Sequence, residues 1–229
     1  MSDAVRRAFR LPVETRVIFR LRGGAQWAAL TLVIGLALSA CGRTTSAVPT
    51  LPLLETDDVV LAFGDSLTYG TGATAEAAYP AQLEALIGRE VINAGVPGET
   101  SAEGRVRLPA VLDDTAPDLV ILCLGGNDFL RRMDRTALVD NLTVMVDEIR
   151  GRGIPVVLMA GPALDGLSLQ PAPLYAALAE TRTLPLQGTI LAEVLGDGRL
   201  KSDTVHPNAR GYARIAEALA DLLRAAGAV

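Results

Sequence analysis

His206 is the only histidine among 229 residues, and imidazole is the side chain that most readily takes and returns a proton near neutral pH. If the chain runs serine–histidine chemistry, His206 is therefore its base. It stands in Asp203-Thr204-Val205-His206-Pro207-Asn208. Asp203, three residues earlier, is near enough to fold its carboxylate back onto the ring, and Pro207 stiffens the exit. The competing reading is a surface loop ahead of a helix capped by Asn208. A hydroxyl to activate is offered by Ser66, in Phe63-Gly64-Asp65-Ser66-Leu67-Thr68-Tyr69-Gly70. An apolar run ends there, Gly64 permits a tight turn, and Ser66 falls at the start of a helix. The free N–H groups and positive dipole end of a helix N-terminus favour a developing oxyanion. Asp65 or Ser66 can equally act as a plain helix cap. The pattern is not the G-x-S-x-G elbow of common lipases.

Two further blocks supply possible oxyanion donors. In Asn93-Ala94-Gly95-Val96-Pro97-Gly98-Glu99-Thr100-Ser101, two glycines allow positive φ or close backbone approach. The loop either aims the Gly98 N–H at a substrate oxygen or is a simple turn with Thr100 or Ser101 as cap. In Leu124-Gly125-Gly126-Asn127-Asp128, Asn127 offers an amide donor at a strand end, although Gly-Asn-Asp is also ordinary turn composition. Asp65 and Asp128 are read as supports for their turns. Arg131, Arg132 and Arg135 are read first as a solvated face, with lipid head groups as the second reading. No His/Cys cluster suggests a metal, and Cys123, inside LVILCLGG, reads as a small core residue.

These blocks need a frame that ends strands where they begin. From Val59 onward, apolar runs alternate with helical stretches. Strands are expected at 59–63, 90–94, 119–124 and 155–160, with a weaker fifth near 184–187. Helices are expected at 75–88, 101–114 (kinked or broken at Pro109), 134–151, 172–182 and from Asn208 to Ala226. Continuous apolar strands alternating with helices imply an α/β domain with a parallel sheet covered on both faces. Ligands bind beyond the carboxyl ends of such strands, which is where the four blocks fall.

Taken together, FGDSLTYG, the Gly98 block, GGND and DxxHPN resemble the SGNH hydrolases, the GDSL family of esterases and lipases, from about Val59 to the C-terminus. The match is nearest to the thioesterase I/lysophospholipase L1/arylesterase branch. The resemblance implies a three-layer α/β/α sandwich, flavodoxin-like, with a five-stranded parallel sheet. It implies Ser66 as nucleophile, Asp203 and His206 as its partners, and Ser66, Gly98 and Asn127 as the oxyanion hole. It implies no cofactor. Segment 161–200 departs most from a clean pattern, and loops there line the acyl site in this family.

The N-terminus reads as an address. Residues 1–40 hold six Arg against Asp3 and Glu14, a net of +4, so residues 41–229 carry a net of -9. The acidic body argues against nucleic acid as a partner. Residues 27–40 are too short an apolar stretch for a comfortable membrane span but suit the core of a secretory signal. Leu38-Ser39-Ala40-Cys41-Gly42 resembles a lipobox, which implies lipidation of Cys41. The expected organisation is a signal at 1–40, a tether at 41–57 and an SGNH domain at 58–229. The product would be an exported, lipid-anchored monomer acting on small-molecule or lipid esters. Two alternatives are an envelope carbohydrate or peptidoglycan deacetylase using the same residues, and an anchored binding or scaffold protein with an inactive site.

Overall fold

Five short strands, alternating with helices along most of the chain, run parallel with their carboxyl ends together. The computed structural model describes residues 48–165 and 168–229; the expected signal segment and Cys41 lie outside them. In chain order the elements are β1 (Val59–Gly64), α1 (Ser66–Tyr69), α2 (Tyr79–Ile87), β2 (Glu90–Gly95), α3 (Ser101–Thr115), β3 (Leu119–Cys123), α4 (Gly126–Leu130), α5 (Arg135–Gly151), β4 (Val156–Met159), β5 (Pro162–Asp165), β6 (Ser168–Pro171), α6 (Pro173–Arg182), β7 (Leu186–Gln187), α7 (Ile190–Gly196) and α8 (Ala209–Ala226). The main sheet has the order β2-β1-β3-β4-β7, all pairs parallel. This is the flavodoxin-like doubly wound order.

Helices cover both faces, which is why every residue of β3 is buried. One core holds Tyr79, Leu83, Tyr212, Ile215 and Leu219 from α2 and α8 against Val60, Ala62 and Ile121. The other packs Leu108, Leu138, Leu142, Met145 and Tyr175 against Leu61, Phe63 and Leu122. Residues 47–229 form one compact unit that contains both cores and the entire sheet. Such a unit carries what a domain needs to fold alone. Among the described residues no helix is long and apolar enough to cross a membrane.

Three local readings change. Helix α3 runs unbroken through Pro109. Its start is fixed by a capping box, Thr100 with Glu103, and Leu108 and Leu112 are buried on either side of the proline, so packing outweighs one missing backbone bond. The C-terminal half of segment 41–57, expected to be tether, is docked. The N–H groups of Leu51 and Leu54 donate to the carbonyls of Ala226 and Ala228, and Leu54 is buried, because two leucines in a proline-spaced segment gain more from the core than from water. Segment 161–200, where no clean pattern was legible, contains the antiparallel hairpin β5–β6 and helix α7. The fifth strand, β7, is two residues long.

Candidate active site

Ser66 opens α1 immediately beyond β1. The turn before it is tight: a Cβ on Gly64 would collide with Thr68 Oγ1 and with the carbonyl of Cys123. Asp65 caps α1 by accepting from the Leu67 N–H, so capping and presentation of the serine coexist. Asp65 is 3% exposed. Burial pushes its carboxyl from 3.8 up to about 6, against the opposing pull of the Leu67 N–H.

That shift fixes a sign. Between pH 4 and 6 the folded chain holds a proton on Asp65 that the unfolded chain has released. Stability therefore falls as pH rises through this window. In Asp65→Asn, where the amide keeps a capping oxygen, this fall disappears. Denaturant titrations of the two proteins at pH 4 and pH 7 should differ by a pH-dependent component of up to about 3 kcal/mol. Equal pH dependence in both would show that Asp65 is not the group responsible.

His206 reaches the same place from the far end of the chain. It lies 140 residues after Ser66 in sequence, yet its Nε2 is 3.0 Å from Ser66 Oγ. Its Nδ1 is 2.8 Å from Asp203 Oδ2. A carboxylate only accepts, so Nδ1 carries the hydrogen and Nε2 presents its lone pair to the serine. Asp203 Oδ1 accepts from the backbone N–H groups of Val205 and His206. The His206 ring, followed by these N–H groups, holds the Asp203 carboxyl down at about 2. The loop is closed by the Ser202 N–H donating to the His206 carbonyl and by a bridge between Lys201 and Pro207. Asn208 then caps α8 through the N–H groups of Arg210 and Gly211. The structure thus brings hydroxyl, imidazole and carboxylate into one hydrogen-bonded line.

Gly98 and Asn127 line the same cleft as Ser66 and His206. Gly98 has φ +82°, which favours glycine, and its carbonyl accepts from Arg131 Nη2 at 2.7 Å. Asn127 Nδ2 donates to the Glu99 carbonyl at 3.0 Å and to Asp65 Oδ2 at 3.3 Å. Two acceptors therefore aim this amide. Gly125 (φ +111°), in the turn that carries it, and Gly161, just beyond β4, leave room for the buried Tyr175, whose hydroxyl donates to the Leu124 carbonyl at 2.8 Å.

The sequence did not reveal the supports beneath these groups. Asp128 was read as serving its own turn. Instead its carboxylate accepts from Ser101 N at 2.9 Å and Ser101 Oγ at 2.5 Å, and Asn141 Nδ2 donates to the same hydroxyl. It ties the Asn127 turn to the start of α3. Glu99, 6% exposed, accepts from Arg107 through both carboxylate oxygens at 2.6 Å. The same guanidinium donates to the Ala94 carbonyl at 3.0 Å and lies 4.1 Å over the Phe63 ring. Glu99 and Arg107 are eight residues apart across a loop-to-helix junction, so no strand or helix period marks the pair.

Comparison with known proteins shows the family. Residues 62–214 match the GDSL-like Lipase/Acylhydrolase family. The chain is similar to the esterase TesA of Pseudomonas aeruginosa, at 32% identity over 174 residues, covering 69% of this chain and 84% of the relative. It is 30% identical to an arylesterase of Vibrio mimicus over 207 residues, covering 85% and 96%. It is 33% identical to the thioesterase 1/protease 1/lysophospholipase L1 of Escherichia coli K12 over 174 residues, covering 73% and 84%. Among solved structures it resembles the psychrotrophic esterase EstA of Pseudoalteromonas sp., with TM-score 0.64 and 25% identity over 73% of this chain and 97% of that one. The protein therefore belongs to the GDSL-like lipase/acylhydrolase family, the SGNH serine hydrolases, and is an ester hydrolase.

Proposed function

We propose that this enzyme cleaves esters and thioesters of apolar acyl groups, among them short-to-medium acyl esters, aryl esters and lysophospholipids, through an acyl-enzyme on Ser66. The observation that carries this reading is the cleft beside Ser66. It has a volume of about 780 Å³, within the size range of small-molecule sites. Beyond the polar groups, Leu67, Pro97, Phe129, Pro162, Ala163, Leu169 and Leu195 line it. Such a wall suits an acyl chain or an aromatic ring and offers a sugar ring few partners. The names borne by the relatives, arylesterase and thioesterase/lysophospholipase, support the same substrate class. Cys41 is proposed in this reading as the point that anchors the enzyme to the envelope.

In the proposed mechanism, His206 Nε2 takes the Ser66 proton as Oγ attacks the carbonyl carbon. Asp203 holds the Nδ1–H tautomer and stabilises the imidazolium. The N–H groups of Ser66 and Gly98 and the Asn127 amide receive the oxyanion. The longer bond from Asn127, to Asp65, is the one that the developing charge takes over, while the Glu99 carbonyl keeps the amide plane fixed. His206 returns the proton to the leaving alcohol or thiol. Water then repeats the sequence on the acyl-enzyme.

The substrate class is tested by p-nitrophenyl esters of increasing chain length, an acyl thioester, lysophospholipid and an acetylated sugar, assayed together. Each methylene buried along the apolar wall is worth about 0.8 kcal/mol, so kcat/KM should rise roughly fourfold per methylene until the cleft is full. A flat series with the acetylated sugar preferred would instead favour the deacetylase. Asn127→Ala should lower kcat by about 10²–10³-fold with a smaller change in KM; a rise in KM alone would make Asn127 a substrate-binding residue.

A further inference from the structure

The mouth of the cleft carries side chains that the chemistry does not use. Residues 129–135 read Phe-Leu-Arg-Arg-Met-Asp-Arg and run along one rim. Leu130 is 62% exposed, and Leu164 of β5 is 76% exposed; both line the cleft. Met133, on the same run, is also exposed. Single apolar side chains on a surface need no explanation, but several gathered on one rim mark a contact with something apolar.

Charge at the same rim indicates what that is. Arg107, Arg152, Arg182, Arg199 and Arg224 each pair with a carboxylate. Arg132 and Arg135 show no carboxylate partner among the described residues, whereas the charge of Arg131 helps to lower the Glu103 carboxyl. Arg131 donates to the Gly98 carbonyl, and Arg135 lies 5.5 Å over the Phe129 ring. Two guanidinium groups without a carboxylate partner, those of Arg132 and Arg135, therefore share this run with exposed apolar side chains, on a body whose residues 41–229 are acidic overall. A soluble anion would satisfy the arginines and leave the leucines in water. A purely apolar partner would leave the arginines without counter-charge.

We propose that this rim docks on an anionic phospholipid surface. Leu130, Met133 and Leu164 enter the boundary between head groups and acyl chains, and Arg132 and Arg135 meet the phosphates. The cleft then opens onto the lipid, and the acidic remainder of the body is turned away by the same surface charge. The inference rests on the reading of the cleft as an acyl-ester site and adds where the substrate is met.

The test is vesicle binding by residues 47–229, the compact unit, so that the apolar segment before Cys41 contributes nothing. Co-sedimentation is measured with vesicles containing phosphatidylglycerol and with vesicles of phosphatidylcholine alone. The wild type should prefer the anionic vesicles, and added salt should reduce the preference. Arg132→Asn and Arg135→Gln should each weaken binding to anionic vesicles about fivefold; asparagine suits the positive φ of Arg132. Leu130→Ser and Leu164→Ser should each weaken it about tenfold or more. Arg132→Asn with Met133→Ser should leave turnover of a water-soluble ester unchanged, which shows that the variant is folded. Equal wild-type affinity for both vesicle types, or full binding by the Arg132→Asn/Met133→Ser variant, would overturn the proposal. Binding is read on Ser66→Ala as well. Vesicle binding without ester turnover in the wild type would sink the substrate reading alone, and turnover without vesicle binding would sink the docking alone.

Discussion

Ser66→Ala is expected to lower kcat for a soluble ester by on the order of 10⁶-fold, leaving only what a preformed oxyanion site and binding contribute. The size follows from the chemistry. Without Oγ there is no acyl-enzyme, and a single concerted attack by water must replace two easier steps. The fold should survive, because among the described residues the Ser66 hydroxyl bonds only to His206 Nε2. The turn itself is held by backbone: the N–H groups of Gly70 and Thr71 donate to the Ser66 carbonyl, and Asp65 caps α1. Thermal melting of the variant should therefore superimpose on wild type. A fluorophosphonate should label the wild type at Ser66 and leave the variant unmodified. Ordinary turnover by the alanine variant would move the nucleophile elsewhere.

Asp203→Asn should cost about 10⁴-fold in kcat, the effect of holding the base in the wrong tautomer. The local geometry leaves the asparagine little choice. Asp203 Oδ1 receives two backbone N–H groups, from Val205 and His206. An asparagine keeps its carbonyl oxygen there and turns its NH₂ toward His206 Nδ1. That nitrogen must then accept, the hydrogen moves to Nε2, and Nε2 can no longer take the serine proton. Asp203→Ala removes the wrong donor as well as the carboxylate, so it should be less damaged than the asparagine variant. Equal losses in Asp203→Asn and Asp203→Ala would place the carboxylate's value in charge alone.

How far the sequence could be read depended on the kind of signal each feature leaves. The four strands expected at 59–63, 90–94, 119–124 and 155–160 are all present: β1, β3 and β4 are covered on both faces and so are continuous apolar runs, while β2 lies at the sheet edge with only Val91 buried and is held by its pairing with β1. Gly88 ends α2 in a left-handed turn, and Asn208 begins α8, as their types predict. His206 was legible because a lone histidine leaves one choice of base, and Ser66 because its block together with the other three resembles the SGNH hydrolases. The hairpin β5–β6 was not. Its four-residue strands pair Pro162 with Pro171 at the open end of the ladder, a composition that does not announce a strand. Nor did any local pattern reveal that Asp128 serves Ser101 across 27 residues, since a long-range polar bond leaves no period in the chain.

The separation of 140 residues between Ser66 and His206 has a consequence for how the enzyme comes into being. Contacts between distant points of a chain form late in folding, after the intervening segments have ordered, because each loop must be closed before it is rewarded. β1, which carries the nucleophile, lies between β2 and β3, while the base waits for α8 to dock. α8 also supplies Tyr212, Ile215 and Leu219 to one of the two cores, so the hydroxyl gains its reactivity only when that core is complete. In a refolding chain, competence toward an electrophile serves as a clock for the docking of the last helix.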